Sequence, residues 1–291
     1  MLIVAFVVFV LGYLATDRFI HTRSVAAEFT PVSEEFGLWT SVLGMVGAFA
    51  VASLVYFVAA GIGVGRLFTR LRRRTVALAV VVAVAPLTGI FAALILGSTS
   101  VPESVDKRLA EATRPFVLTA GACTVPGLVG LLLIRAIARR DSEWREGGAC
   151  SVALVLRLRS ELRRLLGVLG AFLTLLVIAT GLRRRAVLAL APQTHLPAVS
   201  VVLYGFVFAV LLGAFYAAAG SAVDGRASRL VEGWAALPEP DAPDLVQVIG
   251  RRGALNSLVG LDGGTWRTFQ NVVVVAAPLL TALIGSAVGG S

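Results

Sequence analysis

Seven long apolar stretches dominate the sequence and restrict the folds that are open to it. No aspartate, glutamate, lysine, arginine or histidine occurs within them, and they cover residues 1–16, 38–65, 76–98, 116–134, 165–182, 198–223 and 271–289. A helix needs about 20 largely apolar residues to cross the roughly 30 Å hydrocarbon core of a bilayer. The pattern therefore predicts an all-α fold, a polytopic transmembrane helix bundle with seven spans that forms one integral membrane domain over residues 1–291.

The composition agrees with this class and excludes others. Of the 291 residues, 57% are hydrophobic and 15% are charged, whereas soluble domains carry about 25% charged residues. One soluble core cannot bury that much apolar surface, which excludes a soluble globular enzyme and a disordered chain. The net charge of +9 does not indicate nucleic-acid binding, because the arginines flank the apolar stretches instead of forming one basic face.

The first apolar stretch is interpreted as a span and not as a secretory signal. No positive charge precedes it. Asp17 and Arg18 follow it, at the place where a signal peptide has a small-residue cleavage site. We therefore count residues 1–16 among the seven spans.

The distribution of arginine predicts how the chain is oriented in the cell (cytoplasmic) membrane. Five arginines and no acid lie between the second and third spans, and eight arginines with four acids lie in the connection 135–164. Connections rich in arginine are usually cytoplasmic. This places the N-terminus in the cytoplasm and the C-terminus outside, with 18 basic residues on the inner side and 8 on the outer side.

Three consecutive arginines, Arg183, Arg184 and Arg185, do not fit this orientation because they would emerge on the outer face. The preceding span, 165–182, has only 18 residues. An alternative is therefore six spans plus a re-entrant hairpin at this position. That arrangement returns the arginines to the cytoplasm and moves the connection 224–270 to the other side of the membrane.

Part of the cytoplasmic connection, residues 151–164, has the pattern of an amphipathic helix. Leucines recur along one side and polar residues occupy the other. One interpretation is an interfacial helix that contacts membrane lipids, with about 1 kcal/mol of attraction from each arginine near an anionic leaflet. The other is a cytoplasmic extension of the fifth span. The candidate anionic-lipid contacts are Arg157, Arg159, Arg163 and Arg164.

The longest connection, residues 224–270, is mixed in character. Three prolines, Pro238, Pro240 and Pro243, prevent a regular helix in its middle. The remainder can pack as a small cap on the bundle or bind a partner, so this connection is a candidate regulatory surface.

Small residues recur at four-residue spacing within several spans, which lets helices approach closely in lipid. We interpret them as contacts inside the bundle or in a homo-oligomer. These candidate helix-packing residues are Gly44, Ala48, Ala52, Gly61, Gly65, Gly213, Ala217 and Ser221.

The sequence carries no recognisable catalytic, cofactor or metal motif. Ionisable residues inside spans mark ion pathways and proton relays, and the predicted spans have none. Both histidines, His21 and His195, lie outside the spans, and no HExxH pattern or Gly-x-Ser-x-Gly elbow occurs. The single lysine, Lys107, is not part of a Walker A motif. No catalytic residue, cofactor or metal site is therefore predicted.

Three functions fit these observations. The first is a non-enzymatic component that anchors, assembles or regulates a membrane complex, with other membrane proteins as partners. The second is a channel or carrier for a neutral or apolar solute. The third is an enzyme that modifies lipids at the interface with residues of the connections, namely Asp17, His21, Arg23, His195 or Asp262.

Overall fold

The computed structural model describes residues 34–68, 73–96, 103–140, 149–190, 199–235, 245–261 and 265–288. These residues form seven helices and no strand, so the prediction of an all-α fold is confirmed. The predicted first span, 1–16, lies outside the described residues. Numbered along the chain, the helices are α1 (Glu34–Phe68), α2 (Arg73–Leu96), α3 (Glu103–Ala138), α4 (Ala149–Leu190), α5 (Val199–Trp234), α6 (Leu245–Val259) and α7 (Thr265–Val288).

Four of the described helices are long and apolar enough to cross a membrane. The qualifying segments are Gly37–Phe57 of α1, Gly121–Ala138 of α3, Ser151–Ala189 of α4 and Val199–Trp234 of α5. In α7 the apolar segment is shorter and covers Val272–Leu283. The structure therefore supports a membrane protein built from apolar helices, whereas the count of seven spans stays a prediction.

Helix α4 lies at the centre of the bundle, and α3 runs antiparallel to it. A Cβ atom placed on Gly127 of α3 would lie 2.7 Å from Leu169 Cδ2, and one placed on Gly130 would lie 3.0 Å from Leu165 Cδ1. As the residue number rises in α3 it falls in α4, which is the signature of antiparallel neighbours. The C-terminal end of α3 therefore lies beside the N-terminal part of α4.

Helix α5 is also antiparallel to α4. A Cβ atom placed on Gly181, late in α4, would lie 3.8 Å from Val201, near the start of α5. A Cβ atom placed on Gly220, in the second half of α5, would lie 4.0 Å from Leu162, in the first half of α4. The C-terminal ends of α3 and α5 thus lie at the same end of the bundle as the N-terminal end of α4. Helix α6 packs at this end too, against α4 and α5.

The remaining helices complete the bundle around α4. On one side α1 packs against α4, where the rings of Phe49 and Phe172 stack with centroids 5.9 Å apart. On another side α7 packs against both α4 and α5, since Gly170 faces Val274 and Gly205 faces Pro278. Helix α2 packs against α3.

The core of the bundle is apolar along most of the length of α4. Buried leucines and valines of α4 join buried residues of α3, α5 and α7 in one cluster that runs from Val152 to Val177. Among the described residues, the polar side chains buried in the bundle are Ser53, Thr124 and Ser151. Burial of apolar surface contributes about 25 cal/mol per Å² relative to water, so this cluster stabilises the packing of α4 wherever water surrounds the bundle.

The structure corrects two interpretations of the region around α4. The helix is continuous from Ala149 to Leu190, so the chain does not reverse near Arg183 as a re-entrant hairpin requires. Residues 151–164 belong to the same helix and continue it. Their leucine face packs inside the bundle, where Leu158 and Leu162 are buried, so it does not lie on the lipid surface as a separate interfacial helix would.

Arginines bound the apolar segment of α4 on both sides. Between Arg164 and Arg183 lie 18 residues without a charge. At 1.5 Å per residue the two arginines are roughly 28 Å apart along the helix, which matches the roughly 30 Å hydrocarbon thickness of a bilayer. Residues 151–164 then extend roughly 20 Å beyond that segment.

Candidate functional site

Arginines collect at the end of the bundle where α4 begins. Helices α3, α4, α5 and α6 all contribute to this end, which we call the arginine-rich end. Its described arginines are Arg135, Arg139, Arg140, Arg157, Arg159, Arg163, Arg164, Arg226, Arg229, Arg251 and Arg252, and its described acids are Glu161, Asp224 and Glu232. Among the described residues of this end, arginines therefore outnumber acids.

Helix α6 terminates at the arginine-rich end in a glycine turn. Gly260 has a φ of 76°, a left-handed conformation that favours glycine. Its N–H donates to the Ser257 carbonyl at 3.0 Å, and the N–H of Leu261 donates to the Asn256 carbonyl at 2.8 Å. These two bonds form a Schellman motif, which satisfies carbonyls that a helix end leaves without partners.

Arg159 connects three helices at this end. Its guanidinium donates to the backbone carbonyl of Val259, the last residue of α6, and forms an ion pair with Asp224 of α5. The Arg159 side chain is only 11% exposed, whereas that of Asp224 is 60% exposed. A cation is also favoured beside the negative end of a helix dipole. Arg159 therefore fastens the end of α6 to α4 and α5.

A cleft of about 400 Å³ lies between the polar side of α4 and the end of α6. Three arginines line it and no acidic residue does. Its lining residues are Leu156, Arg159, Ser160, Arg163, Arg164, Ser257, Leu258, Val259 and Gly260. The cleft therefore combines positive charge, two hydroxyl groups and two leucine side chains.

The arginines of the cleft differ in how far their charges are compensated. Arg159 is held by Asp224 and Val259. Arg164 is 63% exposed and pairs at 3.4 Å with Glu161 on its own helix, whose side chain is 17% exposed. Pairs between residues three apart on one helix contribute about 0.2–0.5 kcal/mol. Arg163 is exposed, and its guanidinium makes no ion pair with any carboxylate in the described part of the chain. Two guanidinium groups are thus available to an anion.

The structure brings together three of the four arginines that the sequence suggested as lipid contacts. Arg159, Arg163 and Arg164 line the cleft, while Arg157 is exposed on α4 outside it. Sequence reasoning missed the other wall of the cleft, which α6 supplies. A glycine directly after the apolar residues of α6, at Gly260, was the available signal for that helix end.

The small-residue positions predicted for helix packing differ in their surroundings within the described bundle. On α1, Gly44 and Ala48 are buried and Ala52 is half-buried. The burial of Gly61 and Gly65 is not among the described features of α1. On α5, Gly213 contacts Val275 of α7, with a Cβ position 3.2 Å from it. Ala217 and Ser221 are exposed.

Helix α5 also approaches α7 closely at Gly205, which precedes the predicted stripe. Gly205 is the residue missed, and it lies two turns before Gly213 at the same four-residue periodicity. A Cβ on it would be 2.7 Å from the Pro278 carbonyl oxygen. The stripe therefore runs through Gly205 and Gly213, because that side of α5 faces α7.

The residues named for an interfacial lipid enzyme cannot be placed. Asp17, His21, Arg23, His195 and Asp262 all lie outside the described residues. Within the residues that the structure does describe, no group of three or more histidine, cysteine, aspartate or glutamate side chains could hold a metal ion.

The fold and the cleft together define an all-helical membrane protein with an arginine-lined cleft at one end of its bundle. Comparison of the chain with models of protein families, with curated proteins and with solved structures gives no match.

Proposed function

We propose that this protein is a non-enzymatic, multi-span component of the cell membrane that anchors, assembles or regulates a membrane complex through its arginine-rich end. The observation that carries the proposal is the packed extension of the bundle beyond the apolar segment of α4. Residues 151–164 continue the helix over roughly 20 Å and keep their leucine face buried. A structured, charged surface of this kind favours recognition of a partner that bears the opposite charge.

The extension is held by the same apolar core as the rest of the bundle. Val155 and Leu158 of α4 and Ala227 and Val231 of α5 are all buried there. Packed side chains restrict the relative movement of these helices. The arginines on their outer surfaces are therefore presented on a rigid support, which reduces the entropic cost of binding a partner.

A carrier function has less support from the described residues. The buried polar side chains Ser53, Thr124 and Ser151 belong to three different helices. The hydroxyls of Thr174 and Thr180 donate to carbonyls of their own helix at 2.8 and 2.9 Å, so these groups already have partners. Within the described helices, these hydroxyls do not form a continuous polar path.

The proposed orientation puts the arginine-rich end in the cytoplasm, the N-terminus on the same side and the C-terminus outside. Positively charged connections support this arrangement. In a background without Cys123 and Cys150, we expect Ser257→Cys to react with a membrane-impermeant maleimide in inside-out vesicles only. Val199→Cys, exposed at the opposite end of the bundle, should react in intact cells only. The reverse pattern for the two cysteines would contradict the orientation.

Co-purification tests the proposed role. The protein extracted from native membranes in a mild detergent should elute with a partner in fixed stoichiometry. Charge reversal at two exposed arginines, Arg139→Glu with Arg251→Glu, should reduce the recovered partner at least about tenfold, because a rim charge that opposes its partner costs binding energy. The control variant Gln247→Ala, on the exposed surface of α6, should retain it. A solitary, monodisperse protein would contradict the proposal.

A further inference from the structure

The geometry points to the cleft between α4 and α6 as a binding site for a phosphate group that Arg163 and Arg164 hold. This inference goes beyond the proposed role and does not depend on it. The phosphate is carried either by the headgroup of an anionic lipid or by a small soluble phosphate ester. The chemistry that recognises it is the same in both cases.

The charge of the cleft is the first reason. Three guanidinium groups line it without an acidic side chain. Asp224 pairs with Arg159 and Glu161 pairs with Arg164, whereas Arg163 makes no ion pair with a described carboxylate. Guanidinium groups present forked N–H donors that match the oxygens of phosphate, and such charge-assisted hydrogen bonds are stronger than neutral ones. The exposed hydroxyls of Ser160 and Ser257 add two further donors on opposite walls.

The size and shape of the cleft are the second reason. Its volume of about 400 Å³ lies in the range of about 300–1,000 Å³ that small-molecule sites occupy. Leu156 on α4 and Leu258 on α6 line it and are exposed. The cleft can therefore take a phosphate together with the organic group to which it is esterified.

The position of the cleft along α4 is the third reason. Arg164 directly precedes the apolar segment 165–182, so it lies at the depth where headgroup phosphates lie. Headgroups add roughly 5–7 Å on each side of the hydrocarbon core. From that level the cleft continues along α4 to Leu156, roughly 12 Å further from the bilayer centre. Arg163 and Arg164 are thus within reach of a lipid phosphate.

The helix end at the cleft does not oppose an anion as strongly as a bare helix C-terminus would. Free carbonyl groups there carry negative partial charge. In this structure the Asn256, Ser257 and Val259 carbonyls accept hydrogen bonds from Leu261, Gly260 and Arg159. Arg159 is therefore a positioning residue: it holds the second wall of the cleft and offsets the charge of the helix end.

Titration of the purified protein with short-chain lipids tests the site. The probes are dihexanoyl phosphatidylglycerol, dihexanoyl phosphatidylcholine and glycerol 3-phosphate, at constant ionic strength and in a non-ionic detergent, with binding measured by calorimetry. We expect saturable binding of phosphatidylglycerol. The double variant Arg163→Gln with Arg164→Gln should raise its Kd at least about tenfold, equivalent to about 1.4 kcal/mol.

Arg157→Gln is the matched control, because Arg157 is exposed on the same helix but does not line the cleft. Its Kd should change less than about twofold. A lower Kd for glycerol 3-phosphate than for phosphatidylglycerol would assign the site to soluble phosphate esters, and a lower Kd for the lipid would assign it to a headgroup. Equal losses in the control and the double variant, equal binding of both lipids, or no binding would each overturn the inference. Co-purification of a protein partner is unaffected by these outcomes.

Discussion

A valine in place of Gly205 should separate α5 from α7 and leave little folded protein in the membrane. A Cβ at this position would lie 2.7 Å from both the carbonyl oxygen of Pro278 and the Cβ of Ala282. Backbone atoms cannot rotate away as a flexible side chain can, so the helices themselves must move apart. Overpacking typically costs about 1–3 kcal/mol, and we expect a value at the top of that range. The melting temperature in detergent measures the effect.

Gly225→Val on the same helix provides the control. No atom lies within 4 Å of a Cβ at Gly225, and valine has a somewhat higher helix propensity than glycine. This variant should therefore melt at the same temperature as the wild-type protein or slightly above it. Equal melting temperatures for the Gly205 and Gly225 variants would show that α5 and α7 do not depend on the close approach.

Loss of the Arg159 guanidinium should release α6 from the bundle without unfolding the bundle itself. In Arg159→Leu the carbonyl of Val259, a buried residue, loses its donor and Asp224 loses its ion pair. Hydrogen bonds that involve a charged group contribute about 1.5–3 kcal/mol each. We expect amide hydrogen exchange in residues 245–259 to accelerate at least about tenfold, while exchange in the middle of α4 stays slow.

Two further variants provide comparisons for Arg159→Leu. Asp224→Asn removes only the ion pair and should accelerate exchange in α6 less than Arg159→Leu, because the carbonyl of Val259 keeps its donor. Arg164→Leu removes a pair between two residues of the same helix and should change stability by about 0.5 kcal/mol or less. If amide hydrogen exchange in α6 were the same in Arg159→Leu as in the wild-type protein, apolar contacts alone would hold α6 against the bundle.

The sequence was sufficient to predict where most helices lie, because uninterrupted apolar residues are a local property. The stretch 38–65 falls within α1, and 198–223 coincides with α5 from its second residue onward. It was not sufficient to predict how far α4 continues. The pattern of Leu158 and Leu162 shows that one side of the helix is apolar, but an apolar side can face lipid or other helices. The packing of the bundle shows that this side faces other helices.

The cleft could be predicted only in part, because it joins distant segments of the chain. The arginines of α4 stand out in the sequence, but the partner of Arg159 is a backbone carbonyl 100 residues away. Because every residue has such a carbonyl, the sequence does not indicate which one Arg159 binds. The small-residue stripe on α5 shows the same limit. Periodicity indicated that close packing occurs there, but not whether Gly205 or Ser221 faces the neighbour.

The two groups of arginines on α4 have a consequence for the membranes in which the protein is stable. If the helix shifted along the membrane normal, guanidinium groups from one end would enter the hydrocarbon, at a cost of about 2.5–3.5 kcal/mol for each arginine at the centre. Shifts in both directions are opposed, since Arg164 and Arg183 bound the apolar segment. In a thicker bilayer the membrane thins around the protein or the arginine side chains extend towards the headgroups, at a cost of a fraction of a kcal/mol per Å of mismatch. The protein should accordingly concentrate in regions of a membrane whose hydrocarbon thickness is close to roughly 28 Å.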